Sequence, residues 1–167
     1  GLHPERHHDV MAEIGTFCRF AHDIMVPLGM EAYRTEWRIF CEDANVAGSV
    51  DCVVAMPDGT HGILDWKRST KVRSDIVVGG SPYDKYMGAP LDHLASTAVS
   101  GYGLQLNLYK YIMERHYGMT ISCLLLVQVG PEDPFYTFVP DLPLEAEYLM
   151  AQRRAEFATG RPDHPRW

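Results

Sequence analysis

Ala47-Gly48-Ser49-Val50-Asp51 and, one turn later, Ile63-Leu64-Asp65-Trp66-Lys67 decide how this chain is read. Residues 46–56 and 61–67 are rich in branched and aromatic side chains and read as two strands. Between them, Pro57-Asp58-Gly59 fits a three-residue hairpin loop, with Pro and Asp in a type I turn and Gly supplying the left-handed residue. Met56 then pairs with Thr60, and counting back sets Asp51 opposite Asp65. Side chains alternate along a strand, so Lys67 shares the face of Asp65. Like charges directly opposite one another destabilise a sheet. A divalent cation between them removes that penalty, because magnesium takes oxygen ligands and commonly one or two carboxylates. Asp65-x-Lys67 alone is a common tripeptide whose plain reading is a solvated strand end. The opposing Asp51 and the apolar neighbours favour a site instead.

Working outward, residues 33–41 read as a further strand, and residues 7–25 as a helix. In that helix Val10, Ile14, Phe17, Cys18, Ala21 and Met25 recur at helical spacing and form the expected buried stripe. Residues 68–101 carry Gly79-Gly80, Pro82, Gly88 and Pro90 and read as a loop; one so long is more often a substrate loop than filler. Residues 104–116 return to a helical period. Residues 121–129 are nearly unbroken apolar sequence, which suits a buried strand. An edge strand over 136–139 and a closing helix over 144–157 complete an α/β layer architecture with one core.

Gln105 and Tyr109 lie about 40° apart on one helix face, ringed by Leu104, Leu106, Leu108, Ile112 and Met113. A buried amide costs stability without partners. Gln105 is therefore either a core amide bonded to backbone, or it joins the Tyr109 phenol in pointing at the carboxylates.

Composition narrows the class. The 167 residues suit a single domain, 1–167, whether whole or a segment of a longer protein, since the sequence opens on Gly1. Hydrophobic residues at 46% and charged residues at 22% exclude a disordered or collagen-like chain. No run approaches the roughly 18 apolar residues of a membrane span. With 22 acidic and 15 basic residues the net charge is −7, which argues against coating nucleic acid by charge alone. Cys18, Cys41, Cys52 and Cys123 form no CxxC pair and read as small apolar residues in a reducing, intracellular compartment.

Together these segments resemble the PD-(D/E)XK nuclease superfamily, in particular its RecB-like exonuclease branch. The matching residues are Glu36, Gly48-Ser49-Val50-Asp51, Asp65-Trp66-Lys67 and Gln105-x-x-x-Tyr109, in that order. They span most of the chain. The resemblance implies a restriction-endonuclease-like core, a mixed central sheet flanked by helices in the order α-β-β-β-α-β. It also implies metal-dependent hydrolysis of nucleic-acid phosphodiesters, with DNA favoured over RNA and an exonuclease mode, in repair or recombination. Relatives commonly carry a metal-binding His four residues after a Gly in the first helix. Here Gly15-Thr16 is present but that position is Arg19, and the histidine comes at His22. The helical wheel brings His22 closer to the apolar stripe than Arg19.

The implied roles are these. Asp51 and Asp65 bind one or two Mg²⁺ or Mn²⁺ ions, with the Trp66 carbonyl and either His22 or Glu36 completing the shell. Lys67 orients water or stabilises negative charge, while Gln105 and Tyr109 position the substrate strand or the metal shell. Arg19, Arg68, Lys71, Arg73 and His93 contact nucleic acid; Tyr83, Tyr86 and Tyr102 either stack on bases or simply anchor the loop. For the basic run a solvated loop is an equally ordinary reading. Some relatives hold an iron–sulfur cluster through a late group of cysteines; only Cys123 lies in the second half here, so no cluster is expected. The competing function is an inactive module of the same fold that docks nucleic acid or protein.

Overall fold

A computed structural model describes residues 4–68, 70–77, 85–130 and 133–160; Tyr83 and the Gly79-Gly80-Ser81-Pro82 stretch lie outside them. The hairpin has the expected register. Strand β2 (Val46–Ala55) and strand β3 (His61–Lys67) pair antiparallel, Cys52 with Leu64 and Val53 with Ile63, so the same count places Asp51 across from Asp65. At the turn, Met56 N–H donates to the Thr60 carbonyl (2.9 Å) and Gly59 N–H to the Met56 carbonyl (3.0 Å). Gly59 takes φ +83°, the left-handed value that the three-residue loop requires. Asp58 Oδ1 accepts from Thr60 N–H and Oγ1–H, stiffening the turn from within.

Strand β1 (Glu31–Cys41) pairs antiparallel with β2. Strand β4 (Ile121–Gln128) lies parallel to β3, and β5 (Phe135–Phe138) runs antiparallel to β4, so the sheet order is β1-β2-β3-β4-β5. A parallel step cannot be closed by a hairpin. The crossover contains helix α3 (Ala98–His116), whose N-terminus is capped by Thr97 accepting from Ser100 N–H (3.2 Å).

Each face of the sheet has its own core. On one, Leu106, Ile112 and Met113 of α3 meet Ile39, Val53, Ile63 and Leu126, with Ala146 and Met150 of helix α4 (Pro143–Ala158) behind them. Asn107 is buried there and fully occupied. Its amide donates to the Gly103 and Pro140 carbonyls and its Oδ1 accepts from Leu142 N–H, tying α3 to the entry of α4. On the other face, Phe20, Met25 and Met30 cover Cys52, Val54, Leu64, Leu125 and Val127. Phe20 ends helix α1 (Pro4–Phe20), which runs on as a π-helical turn over Ala21–Met25. No helix among the described residues is long and apolar enough to cross a membrane.

Two expectations are corrected. The N-terminal part of the stripe, Val10, Ile14 and Phe17, is largely solvent-exposed, at 46%, 49% and 41%, and Cys18 is exposed too, whereas Ala21 and Met25 pack into the core as expected. The face that docks is the neighbouring one, through Thr16 and Phe20, both fully buried. Thr16 Oγ1 donates to the Gly130 carbonyl (2.6 Å), and Phe20 packs edge-on against Trp66, so contacts to β3 and the end of β4 set the helix rotation. Second, the 68–101 loop contains helix α2 (Lys71–Val77), and α3 starts at Ala98, six residues before the expected 104. Helix propensity in Lys-Val-Arg-Ser-Asp-Ile-Val is weak. Tertiary contacts decide instead. Val72 is fully buried, Gln128 Oε1 accepts from Arg73 N–H (3.1 Å), and Asp75 Oδ2 accepts from Val99 N–H (3.2 Å).

The rotation of α1 is directly testable. Phe20→Ala should cost about 3–5 kcal/mol in urea unfolding. Ile14→Ser, on the stripe that helical periodicity alone would bury, should stay within about 0.5 kcal/mol of wild type.

Candidate active site

The opposed carboxylates sit where β2 and β3 run out of mutual hydrogen bonds. Asp51 Oδ2 accepts from the backbone N–H of Trp66 (2.9 Å), so a side chain takes over the ladder contact beyond Cys52–Leu64. Lys67 gives its carbonyl to Val129 N–H on the β4 side. Successive residues of a strand point their polar groups to opposite edges, so the Trp66 carbonyl faces the Asp51 side. Asp65 is only 4% exposed, and the Lys67 ammonium lies 2.6 Å from its Oδ2 as an ion pair. That oxygen has no partner with hydrogen-bond geometry. Burial raises the Asp65 carboxyl above its ordinary range; Lys67 pulls it back and Asp51 pushes it further up.

Helix α3 covers this end of the hairpin. Gln105 Nε2 donates to the Tyr109 hydroxyl (2.7 Å), so amide and phenol act as one unit. Burial raises the Tyr109 pKa, Gln105 opposes this, and Asp65 and Asp51 reinforce it, which places the phenol within the field of both carboxylates. The Tyr109 ring lies on the backbone of Gly48: a Cβ there would come within 2.4 Å of Cε1. Gly48 therefore lets α3 approach the strand, a role for glycine that needs no turn. The Lys67 ammonium lies 4.2 Å from the Tyr102 ring centroid, a cation–π contact that makes Tyr102 a support for Lys67.

Other candidates lie elsewhere. The His22 side chain is 85% exposed, with Nδ1 2.7 Å from Asp23 Oδ1, because the π-helical turn carries it outward. Glu36 stands across from Asp51, between the Thr35–Cys52 and Trp37–Val50 pairs, but takes φ +48°; this left-handed kink breaks the strand's alternation and the residue is exposed. Among the described residues, neither joins Asp51 and Asp65 in a cluster of ligand atoms. Arg19 reaches Thr16 Oγ1 (3.1 Å) and Asp133 (3.7 Å), and Arg68 pairs with Glu13 (2.6 Å). The Arg73 guanidinium lies 6.0 Å from the Phe135 ring centroid, and Lys71 opens α2. His93 pairs with Glu145 of α4 (2.7 Å). Tyr86 is exposed and forms a bridge with Ala95. The Trp66 side chain packs against Phe17 and Phe20 on the opposite face of the sheet.

A second constellation was not visible in the sequence. Cys41 Sγ, Asp43 Oδ1 and His116 Nε2 lie within 4.8 Å of one another, a set able to hold a divalent cation. Cys41 and His116 are 75 positions apart, so no short spacing motif marks them. Burial and Asp43 raise the Cys41 thiol pKa, while the contacts with Cys41 and Arg154 bring Asp43 down to about 2.

The fold has a counterpart among solved structures. A protein described as "Putative exonuclease" from Eubacterium rectale superposes with a TM-score of 0.52 at 14% identity, over 92% of this chain and 55% of that one. The likeness is one of fold. It accords with a restriction-endonuclease-like α/β core: a mixed five-stranded sheet flanked by helices. The chain spans about half the length of that protein. A second structure, of SSO0001, aligns with 99% of this chain and 64% of its own at 15% identity, but its TM-score of 0.42 is too low to bear on the fold. No family model and no curated protein matches the sequence.

Two measurements probe this geometry. Gly48→Ala should destabilise by about 1–3 kcal/mol through overpacking. Combined with Tyr109→Ala it should cost less than the two single changes summed, as a double-mutant cycle would show. In metal-free protein, the raised Asp65 pKa means the folded state holds a proton that the unfolded state has released. Its contribution to stability is full below the ordinary Asp value of about 3.9 and is lost as pH rises through the folded value. Urea unfolding in EDTA from about pH 4 to 7 should therefore show Asp65→Asn gaining on wild type as pH rises.

Proposed function

We propose that this chain is a metal-dependent nuclease of the RecB-like PD-(D/E)XK type, hydrolysing nucleic-acid phosphodiester bonds, with DNA as substrate and an exonuclease mode. The observation that carries the reading is the Asp51–Asp65 pair: two opposed carboxylates, one of them buried, with the Lys67 ammonium 2.6 Å from the buried one. Two carboxylates opposed across a sheet, one of them buried, are costly in a purely structural role, and a divalent cation between them would remove that cost. Hard oxygen donors suit Mg²⁺ or Mn²⁺. Asp51, Asp65 and the Trp66 carbonyl would hold one or two such ions; His22 and Glu36 are left out because both are exposed. A bound ion would supply an acidified water and neutralise charge on the phosphate.

The chain's own groups do the rest. Trp66 N–H holds the Asp51 carboxylate at the end of the hairpin ladder. Lys67, braced by the Tyr102 ring, offers its ammonium to negative charge developing on a phosphate oxygen. Gln105, oriented by Tyr109, presents its second N–H to the substrate strand. Lys71 and Arg73 of α2, with Arg19 and Arg68, offer positive charge to the strand outside the cleavage point, and His93 a ring nitrogen. In a chain of net −7, phosphate contact has to be local.

The test is cleavage of labelled single- and double-stranded DNA and RNA with Mg²⁺, Mn²⁺ or EDTA. DNA should be degraded from its ends in either metal and left whole in EDTA. Asp65→Asn should fall to the EDTA background while remaining folded. Lys67→Ala should lose on the order of 10²–10³-fold in turnover with little change in metal affinity. Binding of Mn²⁺ and DNA without cleavage by the wild-type chain would defeat this reading in favour of a docking module.

A further inference from the structure

Away from the Asp51–Asp65 pair, strand β1 ends at Cys41, the turn that follows carries Asp43, and α3 closes on His116. Cys41 Sγ lies 2.7 Å from Asp43 Oδ1 and 3.3 Å from His116 Nε2, and the imidazole nitrogen lies 4.0 Å from the same Asp43 oxygen. Ligand atoms about 2.0–2.3 Å from a tetrahedral zinc ion stand roughly 3.3–3.6 Å from one another. The Cys41–His116 edge already matches that spacing, and a rotation of the Asp43 carboxyl away from the sulfur and toward the imidazole would bring the other two edges to it. Arg154 grips the other oxygen, Asp43 Oδ2, and also donates to the Tyr111 hydroxyl (2.9 Å), so Oδ1 is the oxygen presented to the cysteine and histidine. Such a hydrogen bond to a ligating carboxylate is how outer groups orient a metal ligand. Beside the triad opens a cavity of about 400 Å³ lined by Phe40, Glu42, Asp43, His116 and Tyr117.

We propose that Cys41, Asp43 and His116 form a zinc site that clamps the β1–β2 turn to the C-terminal end of α3, separate from the magnesium-type carboxylates. The donor set selects the metal. Thiolate and imidazole favour Zn²⁺, whereas Mg²⁺ and Mn²⁺ prefer oxygen. The thiol releases its proton to solvent as sulfur binds, and the adjoining cavity admits a water or the Glu42 carboxylate as fourth ligand. The clamp has a structural consequence. His116 follows Tyr109 by seven residues, nearly two turns, and so projects from almost the same side of α3, about 10 Å further along. Across the sheet, Cys41 pairs with Val46 and Ile39 with Gly48. Zinc would thus hold the same helix against the same hairpin that Tyr109 and Gly48 hold nearer the carboxylates.

The experiment titrates the metal-stripped full chain with Co²⁺, then Zn²⁺, and follows absorption and thermal unfolding. One Co²⁺ per chain should bind with a thiolate charge-transfer band, Zn²⁺ should displace it, and Zn²⁺ should raise the melting temperature. Cys41→Ser should abolish the band. His116→Ala and Asp43→Asn, at solvent-accessible positions that should not prevent folding, should each weaken zinc by at least about 10-fold. The band and the zinc affinity should survive in Asp51→Asn/Asp65→Asn, which separates this site from the proposed nuclease centre. A wild-type chain that shows no charge-transfer band, a band that persists in Cys41→Ser, or zinc affinity unchanged in both His116→Ala and Asp43→Asn would overturn the proposal.

Discussion

The contact of the Tyr109 ring with the bare backbone of Gly48 is the constraint on which the arrangement depends. Helix α3 must cross from β3 to β4 to make the parallel step, and it must also lie low over β2 if its polar face is to reach the carboxylates. A side chain at position 48 would hold it off, since a Cβ there would overlap the ring. With glycine in place, Gln105 and Tyr109 descend toward Asp51 and Asp65 while Leu106, Ile112 and Met113 fill the core on the same descent. Packing and chemistry are thus met by one helix position, which is why the amide–phenol unit needs no further scaffold.

Charge is handled locally. The chain carries net −7, yet the most buried carboxylate among the described residues, Asp65, lies beside the Lys67 ammonium, and that ammonium is itself backed by the Tyr102 ring. Several of the arginines meet acids on other elements: Arg68 reaches Glu13, Arg154 reaches Asp43 and Arg115 reaches Glu147. Exposed pairs of this kind add little to stability. Their effect here is to partition the positive charge, while Lys67 stands as the ion-pair partner of Asp65.

The two faces of the sheet are closed differently. Over one face the cover is the long helix α3, fastened at its start by the Thr97 cap and at mid-length by the contacts of Asn107 with the Pro140–Leu142 stretch. On the opposite face the cover is short. Phe20, Met25 and Met30 do most of it, Trp66 joins them from β3, and the rest of α1 leaves Val10, Met11, Ile14 and Phe17 substantially exposed. The strand residue between the proposed ligand Asp65 and the lysine therefore anchors the far core through its indole while its backbone serves the site.

How much of this was legible in the sequence follows from the range of the forces involved. The hairpin was legible in full, because Pro57-Asp58-Gly59 and strict alternation are local rules, and Asp51 opposite Asp65 follows by counting. The Gln105–Tyr109 face was legible for the same reason: helical period fixes it. Helix α2 was not, since Val72 and the Arg73–Gln128 bond, rather than propensity, hold it. Nor was the rotation of α1, where the apolar pattern named one face and Thr16 and Phe20, bonded and packed to β4 and β3, chose its neighbour. His22 went outward on a π-helical turn and Glu36 on a left-handed kink, both invisible to a wheel or a two-residue repeat. Cys41, Asp43 and His116 meet only because β1 and the end of α3 finish side by side. Sequence alone determined what repeats along the chain; tertiary structure decided what comes together across it, because those contacts join residues that no local period relates.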